Sequence, residues 1–339
     1  MVAQLKKVAR KSKTFIIASN IYHNWRAERR FKAGDIEYTG GSTHSVVCQF
    51  SVPQSLGYIN EVFEDFLRYS EFTPEMLRGR RVLEVGHGDS VGVALRFVAA
   101  GAERVVCIDK FYSKQDAAQQ HSIYTALREQ LGGNERHRFD EAVDLSGGVT
   151  KINEEKLKPM YGTGIEDAGQ AFEPGYFDII ISRGALQSVY DIDSAFAVMD
   201  RLLAPGGHMW HKIDMSDLGM FRDAGMNPLT FLTVPESLYR LMIKDTGKAN
   251  RRLIDYYRDK MRQLGYDAKY LVTAIFGRKE LVVPHKEEID PRSDYSEQTL
   301  PLIEEVRPRL DAKFRNMPDA DLAVAGLFLI ATKPTGGAQ

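Results

Sequence analysis

The sequence has few cysteines, no long apolar run and no excess of charge of either sign. Cys48 and Cys107 are too few for a disulfide framework, so we expect a reducing compartment such as the cytoplasm. No apolar run approaches ~18 residues, so no transmembrane span is predicted. The basic start lacks an apolar stretch followed by a small-residue cleavage site, and a signal peptide is therefore not predicted. The 45 basic and 46 acidic residues give a net charge of −1, so the whole molecule has no strong electrostatic preference for nucleic acid.

The most informative segment is residues 82–92, which read Val-Leu-Glu-Val-Gly-His-Gly-Asp-Ser-Val-Gly. A short apolar run is broken at Gly86 and Gly88, and a helical pattern follows it. A strand, a glycine turn and a helix in this order let a ligand approach the backbone at a helix N-terminus. The segment therefore predicts a ligand site.

A second predicted strand, residues 104–108, ends in Asp109, which follows Gly86 by 23 residues. A carboxylate at the tip of the second strand of a βαβ unit suits a ribose diol, so we expect a ligand that contains a nucleoside. A dinucleotide turn would have a third glycine at position 91, which is Val91. A methyl-donor turn would have it at position 90, which is Ser90, so the turn alone does not decide between the two.

Segments later in the chain indicate which class of nucleoside-binding protein the turn belongs to. Phe177-Asp178 leads into the apolar run 179–182, and Pro205-Gly206-Gly207 leads into a further strand at 208–214. Together with Glu84 inside the first strand, these pieces resemble the class I S-adenosylmethionine-dependent methyltransferases over residues 80–215. The resemblance implies a doubly wound α/β fold with a seven-stranded, mostly parallel sheet whose last strand is antiparallel. It also implies S-adenosyl-L-methionine as the cofactor.

The resemblance implies a role for each matching residue in binding the donor. Glu84 is expected to orient the methionine end or the turn. The turn Gly86-His87-Gly88 is expected to bring the backbone against the donor, and Asp109 to accept both ribose hydroxyls. Glu166 or Asp167 follows the third strand, where the family often places an adenine contact. Ser182 and Arg183 end the fourth strand and are expected near the sulfonium; each of these residues also has a purely structural interpretation.

Residues that contact the acceptor are expected at the end of the fifth strand, because ligands of open α/β sheets lie beyond the carboxyl ends of strands. His211 and Asp214 are near that end. We predict His211 as a base and Asp214 as its orienting partner, with a core histidine as the alternative. A metal held by His211, Asp214 and Asp217 is a weaker alternative, and no metal is predicted.

The chain is expected to divide into an N-terminal helical cover, residues 1–77, and a donor-binding domain, residues 78–334. Insertions are predicted near 132–158, 215–250 and 277–320, and the glycine- and serine-rich stretch 36–56 is expected to cross the mouth of the site. Residues 1–35 hold nine Lys or Arg against two acids, with apolar positions at helical spacing. We expect helices packed on the core here; contact of residues 1–32 with an anionic membrane surface is the alternative.

Residues 211–214, 228–232 and 250–253 also resemble a bacterial subgroup of these methyltransferases assigned to small molecules, lipids or saccharides. Within this resemblance, Arg251 or Arg252 is a candidate to bind an anionic acceptor group, and pairing with surface carboxylates is the equal alternative. No Asn-Pro-Pro-aromatic motif follows the fourth strand, so no specific nucleic-acid partner is expected. The predicted function is methyl transfer to oxygen; a non-catalytic nucleoside-binding scaffold and a nicotinamide-dependent oxidoreductase are the alternatives. The oligomeric state is left open.

Overall fold

The structure of the protein is a computed structural model. It describes residues 12–38, 50–113, 115–278, 281, 286–290, 293–295 and 297–336. Most of the stretch 36–56, which was predicted to cross the mouth of the site, lies outside the described residues, as do the first eleven residues of the chain. Within the described part, no helix is long and apolar enough to cross a membrane.

A seven-stranded sheet forms the centre of the fold. Its strands are β1 (Arg81–Val85), β2 (Arg104–Asp109), β3 (Leu157–Tyr161), β4 (Phe177–Arg183), β5 (Leu203–Asp214), β6 (Asp267–Ile275) and β7 (Val324–Thr332). Their order across the sheet is β6-β7-β5-β4-β1-β2-β3. The five strands β1 to β5 pair in parallel, whereas β7 is antiparallel to both of its neighbours. The predicted doubly wound sheet with an antiparallel last strand is confirmed.

Ten α-helices flank or extend the sheet. They are α1 (Lys13–Lys32), α2 (Val52–Ser70), α3 (Gly92–Ala100), α4 (Ala117–Gln130), α5 (Gly133–Ala142), α6 (Ile192–Leu202), α7 (Glu236–Ile243), α8 (Ile254–Leu264), α9 (Thr299–Val306) and α10 (Asp319–Ala323), counted over the described residues. Buried side chains alternate along each central strand, so both faces of the sheet carry a core. Val82 and Cys107 belong to the core under α2, α3 and α4, whereas Leu83 and Val106 belong to the core on the opposite face.

The two N-terminal helices cover different parts of the molecule. Helix α2 joins the sheet core, where Phe63 packs edge-on against Phe97 of α3 with ring centroids 5.2 Å apart. Helix α1 packs instead on α7 in the late insertion. Its Lys13 donates to Thr233 Oγ1 at 2.6 Å, and Asn24 Oδ1 accepts from the Asp245 amide at 2.7 Å. The predicted boundary at residue 77 therefore separates segments that share a core.

Residues 132–158, predicted as an inserted loop, contain helix α5 and a short antiparallel pairing of 143–144 with 151–152. The loop prediction is corrected because Phe139 and Ala142 bury one narrow face of α5 against α3, while the rest of that helix is polar. The sequence predicts the third strand and the turn after it within residues 160–168, but the strand begins at Leu157. The stretches 215–250 and 277–320 carry the remaining short helices and loops, which reach the carboxyl edge of the sheet.

Candidate functional site

The loop after β1 holds two glycines in the left-handed region, with φ of +78° at Gly86 and +65° at Gly88. A Cβ added at Gly86 would lie 2.4 Å from Ala185 Cβ in the loop after β4, whereas a Cβ at Gly88 would meet nothing within 4 Å. The Gly86 amide donates to the Ile108 carbonyl at 2.8 Å. Only glycine lets the backbone pass so close to Ala185, and this brings the backbone of the turn to the edge of a pocket.

Asp109 ends β2 directly beside this turn. Its Oδ2 accepts from the Gly88 amide at 3.1 Å, and its Oδ1 accepts from the Phe111 amide at 3.1 Å. Burial raises the pKa of this carboxyl to about 6, although the two backbone hydrogen bonds lower it. A carboxylate has room for more than one acceptor bond at each oxygen, so Asp109 can also receive ligand hydroxyls.

The turn and Asp109 border a pocket at the carboxyl ends of β1, β2 and β4. Its walls combine apolar side chains with a few polar ones, which suits a flat heterocycle joined to a sugar. Glu166 lies at its edge and pairs with Lys110 at 3.5 Å. We call this space the donor pocket. Its lining comprises Val85, Gly86, Gly88, Ile108, Asp109, Lys110, Phe111, Ser113, Gly164, Ile165, Glu166, Gly184, Ala185, Ser188, Val189, Tyr190, Lys244 and Gly247.

Four of the predicted donor contacts, Gly86, Gly88, Asp109 and Glu166, line this pocket. Asp167, the predicted alternative to Glu166, is exposed and is not part of the lining. Of these two acids, only Glu166 lines the pocket, and it does so from the short helical turn that begins at Ile165.

Glu84 precedes the turn and His87 is its middle residue, but neither residue lines the pocket. Cys107 Sγ donates to Glu84 Oε2 at 3.5 Å, and burial, with the charge of Asp109 adding to it, raises the pKa of Glu84 to about 7. His87 packs on Tyr161 with ring centroids 4.9 Å apart, and burial lowers its pKa to about 4. Neither ring nitrogen of His87 has a hydrogen-bond partner among the residues described. Both side chains therefore support the turn rather than form the wall of the pocket.

A second cleft shares Gly184 with the donor pocket and extends over the ends of β4, β5, β6 and β7. We call it the acceptor cleft. Asp214 lies in its wall, and its Oδ1 accepts from the Ser216 amide at 2.8 Å. The lining comprises Tyr58, Arg183, Gly184, Lys212, Ile213, Asp214, Ser216, Arg222, Pro228, Thr273, Ala274, Ile275, Phe276, Gly277, Arg278, Leu302, Ala325 and Gly326.

The structure separates two residues predicted to lie together near the sulfonium. Arg183 lines the acceptor cleft, where it pairs with Asp65 at 2.8 Å and Glu61 at 3.3 Å on α2. Ser182 points to the opposite face of β4 and is fully buried against His211, with 2.8 Å between its Oγ and His211 Nδ1.

His211 is fully buried and lines neither pocket, so it cannot reach an acceptor as the sequence analysis proposed. Burial lowers its pKa to about 3, which keeps the ring neutral. It packs edge-on against Phe196, with ring centroids 6.4 Å apart. The prediction of His211 as a base is therefore corrected: it is a core histidine that forms a hydrogen bond with Ser182. Asp214 lines the acceptor cleft, but His211 is not there for it to orient.

Arg251 and Arg252, the sequence candidates for an anionic group, also lie outside both pockets. Arg251 is buried, donates to the carbonyls of Phe231 and Val234, and pairs with Glu236. Arg252 lies 3.7 Å from Asp193. Arg251 contributes to the packing of residues 231–236, whereas Arg252 stacks on Tyr256 of α8, 4.8 Å from the ring centroid. Both arginines line a separate cavity beside α8.

Asp217 does not join His211 and Asp214 in a metal site. Its buried carboxylate accepts backbone amides of Gly219, Phe221 and Arg222 at 2.9, 2.6 and 2.9 Å. Over the described residues, no group of three or more His, Cys, Asp or Glu side chains is arranged to hold a metal ion.

Sequence reasoning missed Lys110, Lys244, Arg222 and Arg278 as pocket residues. Lys110 follows Asp109 directly, so its position was available from the motif. The other three come from the late insertions, where no sequence pattern indicated which charged residue turns toward the site.

Comparison with known proteins gives a family match and several distant structural neighbours. A family model described as a methyltransferase domain matches residues 141–211. No curated protein sequence matches.

Three of the matching solved structures illustrate the neighbours. The Haemonchus contortus phosphoethanolamine N-methyltransferase 2, in complex with S-adenosyl-L-methionine, is 15% identical with a TM-score of 0.41; the match covers 81% of this chain and 52% of that one. The YcgJ protein of Bacillus subtilis is 12% identical, with coverages of 82% and 98% and a TM-score of 0.40. A Mesorhizobium loti S-adenosylmethionine-dependent methyltransferase is 15% identical, with coverages of 79% and 95% and a TM-score of 0.37. The chain thus spans about half the length of the first of these proteins.

The family match falls between β2 and the end of β5, within a sheet of seven strands whose antiparallel last strand was expected from the sequence. Residues 141–211 are therefore similar to a methyltransferase domain, which agrees with the class predicted from the sequence for this part of the chain. The donor pocket has the glycine turn, the apolar walls and the carboxylate that a nucleoside ligand such as S-adenosyl-L-methionine would require.

Proposed function

We propose that the protein transfers the methyl group of S-adenosyl-L-methionine to an oxygen atom of a small-molecule, lipid or saccharide acceptor. The observation that carries this proposal is the junction of two pockets at Gly184. The donor pocket holds Asp109 and the glycine turn, and the adjoining acceptor cleft has the carboxylate of Asp214 in its wall. A donor and an acceptor bound on either side of Gly184 would be neighbours.

The residues of the chain would perform three tasks in this reaction. Gly86, Gly88 and Asp109 hold the donor, and Glu166 borders its base. The bound donor supplies an electrophilic methyl group on its sulfonium. Asp214 would accept the proton of the acceptor hydroxyl while the hydroxyl oxygen takes the methyl group from the donor sulfur, which would leave as the neutral thioether. Positioning alone contributes up to ~7–11 kcal/mol to reactions of this kind, so a single carboxylate is sufficient as the acid–base group.

Replacement of Asp214 tests the catalytic part of the proposal. Loss of a general base lowers rates by roughly 10²–10⁴-fold, so Asp214→Asn should lose most turnover while it binds the donor normally. The assay uses donor with a labelled methyl group, a panel of hydroxylated acids, sugars and lipids, and mass spectrometry of the products. Asp267→Asn, an exposed position at the other end of β6, is the matched control.

The proposal is supported if wild-type protein and Asp267→Asn form labelled methyl ethers or esters and Asp214→Asn does not. Label recovered on nitrogen would contradict transfer to oxygen. Wild-type turnover in Asp214→Asn would contradict the role of this carboxylate.

We further propose that α1 contacts an anionic membrane, which would place the protein at the cytoplasmic face. Phe15, Tyr22 and Trp25 on the outer face of α1 are 44, 54 and 48% exposed. Arg29 stacks on Trp25, 4.5 Å from the ring centroid. Exposed aromatic rings next to basic residues suit the interfacial region of a lipid bilayer. Leu238 and Leu241 of the adjoining α7 are also exposed and would extend this surface.

A further inference from the structure

The acceptor cleft is much more basic than the chain as a whole. Its lining contains four cationic side chains, Arg183, Lys212, Arg222 and Arg278, and one acidic side chain, Asp214. The whole sequence has 45 basic and 46 acidic residues, so this local excess does not follow from composition. A concave surface lined by charge of one sign raises the local concentration of ligands of the opposite sign.

The four cations are not equivalent. Arg183 pairs with Asp65 and Glu61 of α2, and these two carboxylates offset its charge within the protein. Arg278 donates to the backbone carbonyl of Asp294 at 2.9 Å, and the Asp294 carboxylate, which also pairs with Lys286, offsets part of its charge. Arg222 lies 3.7 Å from Asp223, and both of these side chains are more than half exposed, so water screens the pair. The cleft therefore keeps a positive potential on the side formed by the late insertions.

The loop that carries Arg222 is built around a buried acid. Asp217 accepts three backbone amides from this loop, and the last of them belongs to Arg222 itself. A buried carboxylate with three such bonds fixes the path of the backbone. Arg222 is therefore presented to the cleft by an ordered turn.

Arg222 and Arg278 line the acceptor cleft but not the donor pocket, whereas Gly184 lines both. A ligand with an anionic end bound by the arginines would extend from them toward Gly184. Asp214, also in the wall, would receive the reacting hydroxyl rather than the anionic end, because like charges repel.

We propose that the acceptor carries a phosphate or carboxylate group and that Arg222, Arg278 and Lys212 bind it. This inference rests on the proposed methyl transfer, since it identifies the second cleft as the acceptor site. Guanidinium groups match the geometry of both anions, so the shared chemistry is a compact oxyanion on a hydroxylated molecule.

Calorimetric titration with paired probes tests the inference and separates the two anions. The pairs are 4-hydroxybenzoate with 4-hydroxybenzamide, and glycerol 3-phosphate with glycerol. Each is titrated into the full chain, with and without S-adenosylhomocysteine. We expect at least one anion to bind tenfold or more tightly than its neutral partner, with an affinity that falls as NaCl is added. The pair that shows the preference identifies the anion class.

Variants locate the binding groups. Arg222→Gln and Arg278→Gln should each weaken the preferred anion five- to tenfold, whereas Arg262→Gln, exposed on α8 outside the cleft, should not. Asp214→Asn should keep or improve anion binding, because it removes the one negative charge of the lining. All variants should bind S-adenosylhomocysteine as the wild type does, which shows that they are folded.

Equal affinity for charged and neutral probes, or wild-type anion affinity in both arginine variants, would overturn the inference. Failure of the wild type to bind S-adenosylhomocysteine would instead count against the proposed function. The titrations without that ligand would still report whether the cleft prefers anions.

Discussion

Alanine substitutions at the two glycines of the donor turn offer a sharp test of the geometry. Both positions have positive φ, so an alanine at either should cost about 1–2 kcal/mol of stability from backbone strain alone. Only at Gly86 would the new methyl group also collide with Ala185, at 2.4 Å. Overpacking of this kind adds about 1–3 kcal/mol. Gly86→Ala should therefore lower the free energy of unfolding by about 2–5 kcal/mol, and Gly88→Ala by about 1–2 kcal/mol.

Urea unfolding of both variants measures the difference, and a double variant isolates its cause. Deleting the opposing methyl group in Gly86→Ala/Ala185→Gly should remove the destabilisation from the collision and leave that from backbone strain. The double variant should then resemble Gly88→Ala once the separate effect of Ala185→Gly is subtracted. If Gly86→Ala were no less stable than Gly88→Ala, or if Ala185→Gly brought no recovery, the close approach of the two loops would be refuted.

Three further predictions concern Asp109 and Glu84, the two acids beside the turn. Asp109→Ala should weaken donor binding by about 1.5–3 kcal/mol, the range for hydrogen bonds to a charged group, and an unchanged affinity in a folded variant would refute the ribose assignment. Because ribose hydroxyls favour the ionised carboxyl, wild-type affinity should rise as the pH increases through about 6, the pKa of Asp109. Burial raises the Glu84 pKa from 4.5 to about 7, so the folded state holds this proton more tightly and stability should fall between these pH values. The loss is about 3 kcal/mol. Denaturation from pH 4 to 8 should show a flatter profile for Glu84→Gln than for the wild type, and parallel profiles would contradict the buried position.

The proposed membrane contact is tested by a substitution on α1 and a control substitution elsewhere. Trp25→Ser should reduce cosedimentation with vesicles that contain anionic lipid, because it removes a half-exposed aromatic ring from the outer face of α1. Met76→Ser, a similarly exposed apolar side chain away from α1, is the control. Equal binding of wild type and Trp25→Ser, or binding that does not depend on anionic lipid, would contradict the proposed surface.

The central part of the fold could be predicted because its signals are local. The strands β1, β2 and β4 are short buried apolar runs, and the glycine turn and Asp109 lie at their ends. Helix α5 was not predicted because only a narrow face of it is buried. Its other positions are polar, and such a sequence is typical of a loop. Strand β3 carries a lysine and a proline and is only partly buried, which displaced its predicted position.

The acceptor side was less predictable because it depends on which face a side chain takes and on the path of loops. Alternation along β5 places His211 with Met209 and Ile213 in one core, and this period-two pattern was available from the sequence. Arg222 and Arg278 reach the cleft from insertions whose course is set by tertiary contacts, such as the amides gathered by Asp217. No local pattern distinguishes them from other surface arginines.

Calorimetric titration of the purified protein with S-adenosyl-L-methionine and S-adenosylhomocysteine, with NADH as the control, tests the central claim most directly. We expect both sulfur nucleosides to bind, more weakly in Asp109→Ala, and NADH not to bind. Absence of binding, or a preference for NADH, would contradict the assignment of the donor pocket and every proposal that depends on it.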